Sequence, residues 1–219
     1  MQSLAFLSPK RRFVVTGLMG LFIVLSFYLF PFDEKLNDNV QSIVSGMVFF
    51  LVVPILFTKM ILKEPLGALG FRRSERSYGW LSVPLVTITA LVLSYLFIRY
   101  FSVGESYLIP PLARDSFPIF LLYETVLVGS ITFLFEVFFR GFVQLLWLRE
   151  YGISAVLAQV IISVASVALL GGMTWQELPM LIAAPFAGFV AFYTRSVWYS
   201  WVTSWLIVVL FDACILVVR

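Results

Sequence analysis

The sequence predicts an all-α protein, a polytopic bundle of about seven or eight transmembrane helices. Hydrophobic residues make up 61% of its 219 residues and charged residues only 12%, whereas a soluble domain carries about 25% charged residues. The apolar residues form runs of about 20, which is the length that crosses the hydrocarbon core of a bilayer. Most of the basic residues lie between these runs. We therefore expect an integral membrane protein.

Seven apolar runs qualify as membrane spans, at residues 13–31, 41–62, 80–101, 118–148, 153–171, 177–194 and 197–218. The first run is followed by PFDEKLND, without a small-residue cleavage site, so we expect a retained anchor rather than a signal peptide. The fourth run would measure ~46 Å at ~1.5 Å per residue. It must therefore tilt, kink near Gly129 and Ser130, or divide into two helices. Pro185 is expected to kink the sixth span.

These spans divide the chain into four regions. Residues 1–62 contain the first two helices, and residues 63–79 form a basic loop. Residues 80–117 contain the third helix and a loop on the opposite side, and residues 118–219 form the core. We expect the basic loop in the cytoplasm. There it either binds anionic lipid headgroups or serves only to orient the chain in the membrane.

The basic residues predict how the bundle is oriented. With Arg140 left out, ten Lys and Arg residues lie on the side of the N terminus, namely Lys10, Arg11, Arg12, Lys59, Lys63, Arg72, Arg73, Arg76, Arg149 and Arg195. The opposite side has four, namely Lys35, Arg99, Arg114 and Arg219. Because cytoplasmic loops are rich in Lys and Arg, the N terminus is predicted to be cytoplasmic. Seven spans then place the C terminus outside.

The absence of histidine excludes several kinds of chemistry. Histidine is the commonest metal ligand and the usual base near neutral pH, so zinc metalloprotease and Ser–His sites are excluded. The only cysteine, Cys214, cannot form an internal disulfide bond. We expect no metal and no other cofactor. The net charge of +3 indicates no nucleic-acid partner.

Four charged residues lie within the predicted spans: Glu124, Glu136, Arg140 and Asp212. Glu136 and Arg140 are four residues apart, so their side chains share one helix face. We expect an ion pair directed into the bundle, since pairing lowers the cost of burying charge. Such a pair is a structural salt bridge, the wall of a binding cavity or a reacting pair. Glu124 is expected near water at the outer end of its helix, and Asp212 is expected to partner Arg140 or a hydroxyl group on another helix.

The segment F-E-V-F-F-R-G, residues 135–141, resembles a known protease motif. It is similar to the first motif, E-E-x-x-x-R, of the CPBP family. These are the CAAX-processing and bacteriocin-processing membrane proteases, also called Abi proteins and related to the Rce1-type prenyl protease. The second glutamate and the F-R-G ending of that motif are matched by Glu136, Phe139, Arg140 and Gly141. Phe135 stands where the family has its first glutamate.

Three further segments extend the resemblance. Residues 152–170 resemble the family's next helix, which ends in F-x-x-x-H, and the histidine position falls among the apolar residues Val167 to Leu170. Residues 188–209 resemble the passage that leads to H-x-x-x-N, and here Ser204 and Val208 occupy the histidine and asparagine positions. EPLGALGFRR, at residues 64–73, is similar to a shorter upstream segment. The resemblance covers residues 64–217, with its core at 118–217, and implies a CPBP-like, Rce1-like fold.

The departures from the family pattern decide the expected activity. The family's chemistry implies a glutamate that activates water, two histidines and an asparagine that stabilises an oxyanion. This chain lacks all four groups, and each type of contribution is worth about a hundredfold or more in rate. We therefore expect no catalytic residue, and we expect Phe135, Ser204 and Val208 to be degenerate positions. The candidate binding residues are Glu136, Arg140, Phe139 and Asp212. A cavity is expected to be lined by Phe135, Phe139, Ser204, Val208 and residues near Ala168.

Three functions are consistent with the sequence. The first is a catalytically inactive CPBP-like protein of the bacterial cytoplasmic (inner) membrane. It would be a subunit, stabiliser or regulator of another integral membrane protein or complex, or it would bind a hydrophobic peptide or lipid. The second is an active intramembrane CAAX-type endopeptidase with a relocated site, in which Glu136 is the base and Asp212 or Ser204 assists. The third is a structural or transporter-like helix bundle unrelated to the family.

Overall fold

The computed structural model describes residues 8–31, 38–73, 79–101 and 107–218, and those residues contain helices and no strand. Within these described residues, seven helices are long and apolar enough to cross a membrane: α1 (Pro9–Tyr28), α2 (Val40–Ile61), α3 (Trp80–Tyr100), α4 (Phe117–Trp147), α5 (Ser154–Gly171), α6 (Trp175–Thr194) and α7 (Val197–Val217). The prediction of an all-α bundle with seven membrane-length helices is confirmed. Lys35, Arg76 and Arg219, which contributed to the predicted orientation, lie outside the described residues.

The helix ends follow the local sequence. Ser8 caps α1 by accepting a hydrogen bond from the backbone N–H of Arg11 at 3.4 Å, and Pro9 occupies the first helical position. Thr174 and Glu177 form a capping box at the start of α6. These caps satisfy backbone donors that have no partner within the first turn of a helix.

Helix α4 is one continuous helix of 31 residues, so, of the three alternatives that the sequence left open, division into two helices does not occur. It is also the most buried of the seven helices. Two stretches, Tyr123–Val128 and Glu136–Trp147, are wound as π-helix. At the end of the second stretch, the N–H of Leu148 donates to the carbonyl of Val143 at 2.9 Å. Such winding is rare and often marks functional sites, and here it coincides with the charged segment.

The core on one side of α4 consists largely of stacked aromatic rings. Phe138, Phe139 and Phe142 are fully buried, and Phe50 of α2 packs against them. The ring centroids of Phe50 and Phe138 are 4.9 Å apart, and those of Phe138 and Phe142 are 5.8 Å apart. Such pairs contribute about 0.5–1.5 kcal/mol each beyond the area that they bury. This cluster holds α1 and α2 against α4.

Gly141 allows a loop to pack directly on α4. A Cβ atom at this position would lie only 2.7 Å from the carbonyl oxygen of Leu69, so no other residue fits without a shift. The carbonyl of Gly70 accepts a hydrogen bond from the N–H of Val197, at 3.0 Å. Gly70 has a φ of 82°, which favours glycine. The described part of the basic loop is therefore attached to α4 and α7.

Several predicted cytoplasmic basic residues meet at one end of the bundle, which we call the basic end. Arg12 and Arg149 both pair with Glu64, and the second pair has an N···O distance of 3.3 Å. Arg72 donates from Nε to the carbonyl of Arg195 at 3.1 Å. Partial burial opposes ionisation of Glu64, but the two arginines outweigh it and lower the pKa of Glu64 below its usual value.

Candidate functional site

The predicted ion pair between Glu136 and Arg140 is confirmed, and it lies inside the bundle. Both side chains are buried, with 3.3 Å between Arg140 Nε and Glu136 Oε1. The N–H of Nε is not aligned with a carboxylate oxygen, so this contact is mainly electrostatic. Ser204 of α7 donates its hydroxyl proton to the same Glu136 oxygen at 2.6 Å. The carboxylate is therefore held by its own helix and by α7.

Polar side chains also attach α4 and α5 to the backbone of α6. Arg140 Nη2 and Gln159 Nε2 both donate to the carbonyl of Ala184, at 3.2 and 3.1 Å. Gln144 Nε2 donates to the carbonyl of Gly188 at 2.7 Å. Neither glutamine was among the residues predicted for the site from the sequence. The spacing of Glu136, Arg140 and Gln144, four residues apart each time, could have shown that Gln144 lies on the charged face.

A cavity of about 520 Å³ lies beside this ion pair. It runs from Arg140 towards the helix ends opposite the basic end, where α1 finishes and α6 begins. Most of its wall is aromatic or aliphatic, formed by Phe27, Tyr28, Phe30, Ile131, Phe135, Val167, Leu170, Met180 and Leu181. A few polar side chains, Ser42, Ser163, Gln176 and Glu177, complete the wall.

The candidate residues are placed differently around this cavity. Phe135 and Arg140 line it, as do Val167 and Leu170, which flank Ala168. Phe139, Ser204 and Val208 were expected in the lining and are not part of it. Phe139 packs in the aromatic core, Ser204 bonds to Glu136, and Val208 is buried on α7. The cavity is therefore formed mainly by α1, α4, α5 and α6, not by α7.

Glu124 and Asp212 form a second buried cluster. Glu124 was expected near water, but it is fully buried, and so the expectation is wrong. Its carboxyl group faces that of Asp212. Tyr107, in the connection between α3 and α4, donates its hydroxyl proton to Asp212 Oδ1 at 2.7 Å. Burial and the neighbouring acid Asp212 raise the pKa of Tyr107.

The antiparallel packing of α4 against α7 explains which groups meet. Along α4 the chain passes Glu124 before Glu136, whereas along α7 it passes Ser204 before Asp212. Ser204 therefore faces Glu136, and Asp212 faces Glu124. Asp212 was expected to partner Arg140 or a hydroxyl group on another helix. Its hydroxyl partner is Tyr107, which lies in a connecting segment.

This arrangement bears on the chemistry of a relocated peptidase site. Of the two proposed assistants, Ser204 contacts Glu136, whereas Asp212 is engaged in the other cluster. Among the described residues, no group of three or more Cys, Asp and Glu side chains gathers where it could hold a metal ion. Glu136 thus has one hydroxyl group and one cation beside it, and the preceding residue, Phe135, lines the cavity.

The fold and the site define a polytopic helical membrane protein with a buried ion pair beside a largely apolar cavity. Comparison with known proteins does not narrow this class. No protein-family model, no curated protein and no solved structure matches the chain. The resemblance to the CPBP proteases is therefore still a prediction.

Proposed function

We propose that the chain is a catalytically inactive, CPBP-like membrane protein that binds the acyl chain of a lipid in the cavity beside Arg140. The cavity itself is the observation that carries this proposal. Its volume of about 520 Å³ falls within the range of roughly 300–1,000 Å³ that is typical of ligand sites. Such sites combine apolar walls with a few polar groups that orient the ligand, and this cavity has the same composition.

The walls suit a hydrocarbon chain better than a hydrated substrate. Phe135 projects into the space and stacks on Phe139, with ring centroids 5.6 Å apart. Leu170 and Leu181 line the cavity with aliphatic carbon. Apolar surface gains roughly 25 cal/mol per Å² when it is removed from water, so an acyl chain would be retained without specific hydrogen bonds.

Arg140 supplies a polar anchor at the inner end. Its guanidinium group is planar and has five N–H donors. Nη2 bonds to Ala184, and Nε lies beside Glu136. The side chain nevertheless lines the cavity. An ester, carboxylate or phosphate oxygen on the ligand would be a suitable acceptor for the remaining N–H groups.

The proposed inactivity follows from the groups around Glu136. A general base must reach the proton that it removes, directly or through one water molecule. Phe135 replaces the acidic group that the resemblance implies for this role, and its side chain has no acceptor. Glu136 already pairs with Arg140 and accepts the Ser204 hydroxyl proton. These contacts support a structural carboxylate rather than a base that activates water.

Lipid binding can be tested by narrowing the cavity. Ile131→Trp adds bulk to its wall, whereas Leu121→Trp makes a similar change on an exposed part of the same helix. Purified protein would be titrated with a photoactivatable lipid whose reactive group is on the acyl chain, next to the ester. We expect Ile131→Trp to weaken labelling about tenfold, which corresponds to about 1.4 kcal/mol, and Leu121→Trp to have little effect. Equal labelling of both variants, or labelled peptides outside the cavity, would refute the site.

The absence of proteolysis needs its own test. Wild-type protein would be incubated with prenylated CAAX peptides and with unmodified membrane peptides, and an active CPBP protease would serve as the positive control. We expect no cleavage. Cleavage by the wild type that disappears in Glu136→Gln would instead establish the peptidase with a relocated site.

A further inference from the structure

Two acidic side chains are buried between α4 and α7, away from the lipid-binding cavity. Glu124 has no exposed surface, and Asp212 is 3% exposed. Their carboxyl groups face each other across the contact between the two helices. Neither oxygen of the Glu124 carboxyl group accepts a hydrogen bond from any residue that the structure describes. Glu124 is therefore a buried polar group that points at another acid and lacks a donor.

The surrounding elements bring hydroxyl groups and apolar side chains to this pair. Tyr107 donates to Asp212 at 2.7 Å, and Tyr123 of α4 lies close enough to both acids to be influenced by their charges. Trp205 of α7 donates from Nε1 to the backbone carbonyl of Glu124 at 2.8 Å. These groups are polar but uncharged.

The remaining neighbours do not supply a cation. Ile98 of α3 and Leu178 of α6 belong to the apolar cluster that also contains Tyr107 and Tyr123. The buried Arg140 is engaged with Glu136 and Ala184. Within the described residues, no Lys or Arg acts on either acid as an electrostatic partner.

Two carboxylates this close cannot both be ionised in an apolar surrounding. Like charges repel at short range, and a single charge within the hydrocarbon region is already costly. One proton removes both difficulties. The protonated carboxyl group then donates a hydrogen bond to its neighbour, which provides the donor that Glu124 lacks. The ligand that fits this arrangement is H⁺.

We propose that Glu124 and Asp212 form a proton-binding site that holds one exchangeable proton, with Tyr107 positioning Asp212. The site lies towards the end of the bundle opposite the basic end, since Glu124 is seven residues after the start of α4, a rise of about 10 Å. Exchange with water is expected from the side that carries the connection between α3 and α4.

Infrared difference spectroscopy tests this proposal directly. A protonated carboxyl group has a C=O stretching band that a carboxylate lacks and that shifts in heavy water. Wild-type protein in vesicles should show this band at neutral pH and lose it at alkaline pH. Exposed acids are protonated, and so contribute to this band, only at acidic pH. At neutral and alkaline pH, the variant Glu124→Gln/Asp212→Asn should therefore lack the band. Glu150→Gln, which changes an exposed carboxyl group, should leave it intact.

Three results would overturn the proposal. The first is a wild-type spectrum without the band at neutral pH. The second is a band that survives in the double variant, because another acid would then hold the proton. The third is a titration midpoint that moves with sodium concentration at constant ionic strength, since this would identify a sodium site.

The fluorescence of Trp205 supplies a second readout. Its indole N–H bonds to the Glu124 backbone, so loss of the shared proton should shift its emission. We expect a shift over the same pH range as the infrared change, absent from Glu124→Gln/Asp212→Asn. Circular dichroism of that variant would verify that it is folded. A folded variant that retains the shift would also contradict the proposal.

Discussion

Helix α4 carries two buried glutamates, and their charges meet different surroundings. Glu136 lies 3.3 Å from Arg140 and accepts a hydrogen bond from Ser204. Glu124 faces a second acid, Asp212, and its carboxyl group receives no hydrogen bond from the described residues. Burial in a membrane helix therefore does not decide what an acid does. The role of a buried acid depends on the group that faces it. A cation forms a structural ion pair with the acid, whereas a second acid requires a proton between the two carboxyl groups.

The two clusters also differ in how far apart their members lie in the sequence. Glu136 and Arg140 are one helical turn apart, so they meet whenever α4 forms. Asp212 is far from Glu124 in the sequence and lies on another helix. It meets Glu124 only after α4 and α7 pack. The first cluster is a property of one helix, and the second is a property of the assembled bundle.

Removing Arg140 is expected to have the largest effect. Arg140→Leu leaves the Glu136 carboxylate buried without its cation, which should destabilise the fold by about 3–5 kcal/mol. The double variant Glu136→Gln/Arg140→Leu removes both charges and should recover most of this loss. The measurement is the free energy of unfolding in mild detergent. Equal losses in the single and double variants would show that charge pairing is not what holds this cluster.

Matched glutamine substitutions compare the two glutamates directly. Glu136→Gln leaves the cation of Arg140 uncompensated and should cost about 3 kcal/mol or more. Glu124→Gln should cost less than about 1 kcal/mol, because its amide group can donate to Asp212 and no cation loses its partner. Unfolding of both variants in the same detergent would test the difference. A cost for Glu124→Gln as large as that for Glu136→Gln would refute the distinction drawn between the clusters.

Deleting one hydroxyl donor from each cluster should have a smaller effect than the loss of Arg140 or Glu136. Ser204→Ala removes the hydrogen bond to the ionised Glu136 and should cost about 1.5–3 kcal/mol. Tyr107→Phe removes the donor to Asp212. Because the proposed proton between Asp212 and Glu124 reduces the negative charge on Asp212, this loss should cost only about 0.5–1.5 kcal/mol. A double-mutant cycle between Ser204→Ala and Glu136→Gln measures the coupling in the first cluster. Coupling near zero would mean that the contact does not contribute.

The smallest expected effect concerns Glu64, an acid at the basic end that is partly exposed to water. Its pKa is lowered in the folded chain, so its stabilising contribution is fully present above the ordinary glutamate pKa of about 4.3. That contribution is lost as the pH falls through the lower folded-state value. Glu64→Gln should therefore reduce the melting temperature at pH 7 and have less effect at acidic pH. The exposed Glu150→Gln serves as the control. If Glu64→Gln lowers the melting temperature equally at pH 7 and at acidic pH, Glu64 does not stabilise the fold through its charge.

Local patterns predicted the features that depend on one segment at a time. The apolar runs identified all seven membrane-length helices, because each helix needs only its own residues to be apolar over the required length. The four-residue spacing identified the Glu136–Arg140 pair for the same reason. Gly141 was recognised only as part of a motif. The structure explains it through the carbonyl of Leu69, which leaves no room for a side chain.

Features that depend on how helices face one another were predicted poorly. Glu124 was expected near water because it lies close to the start of its helix, but α7 and the connection before α4 cover it. Ser204 and Val208 were expected in the cavity because the resemblance placed them in a site, but α7 contributes nothing to the cavity wall. Gln144 and Gln159 were overlooked, although their amides bond to the backbone of α6.

The sequence by itself determined that this chain is an all-helical membrane bundle and that one of its buried acids has a cation on the same helix. Both results follow from hydrophobicity and helical spacing, which act over a few turns. Only the tertiary structure decided that Glu124 faces Asp212 and that a cavity opens beside Arg140. These results depend on the rotation and packing of each helix against its neighbours. Those are set by side-chain shape across the whole bundle, which no single segment of sequence contains.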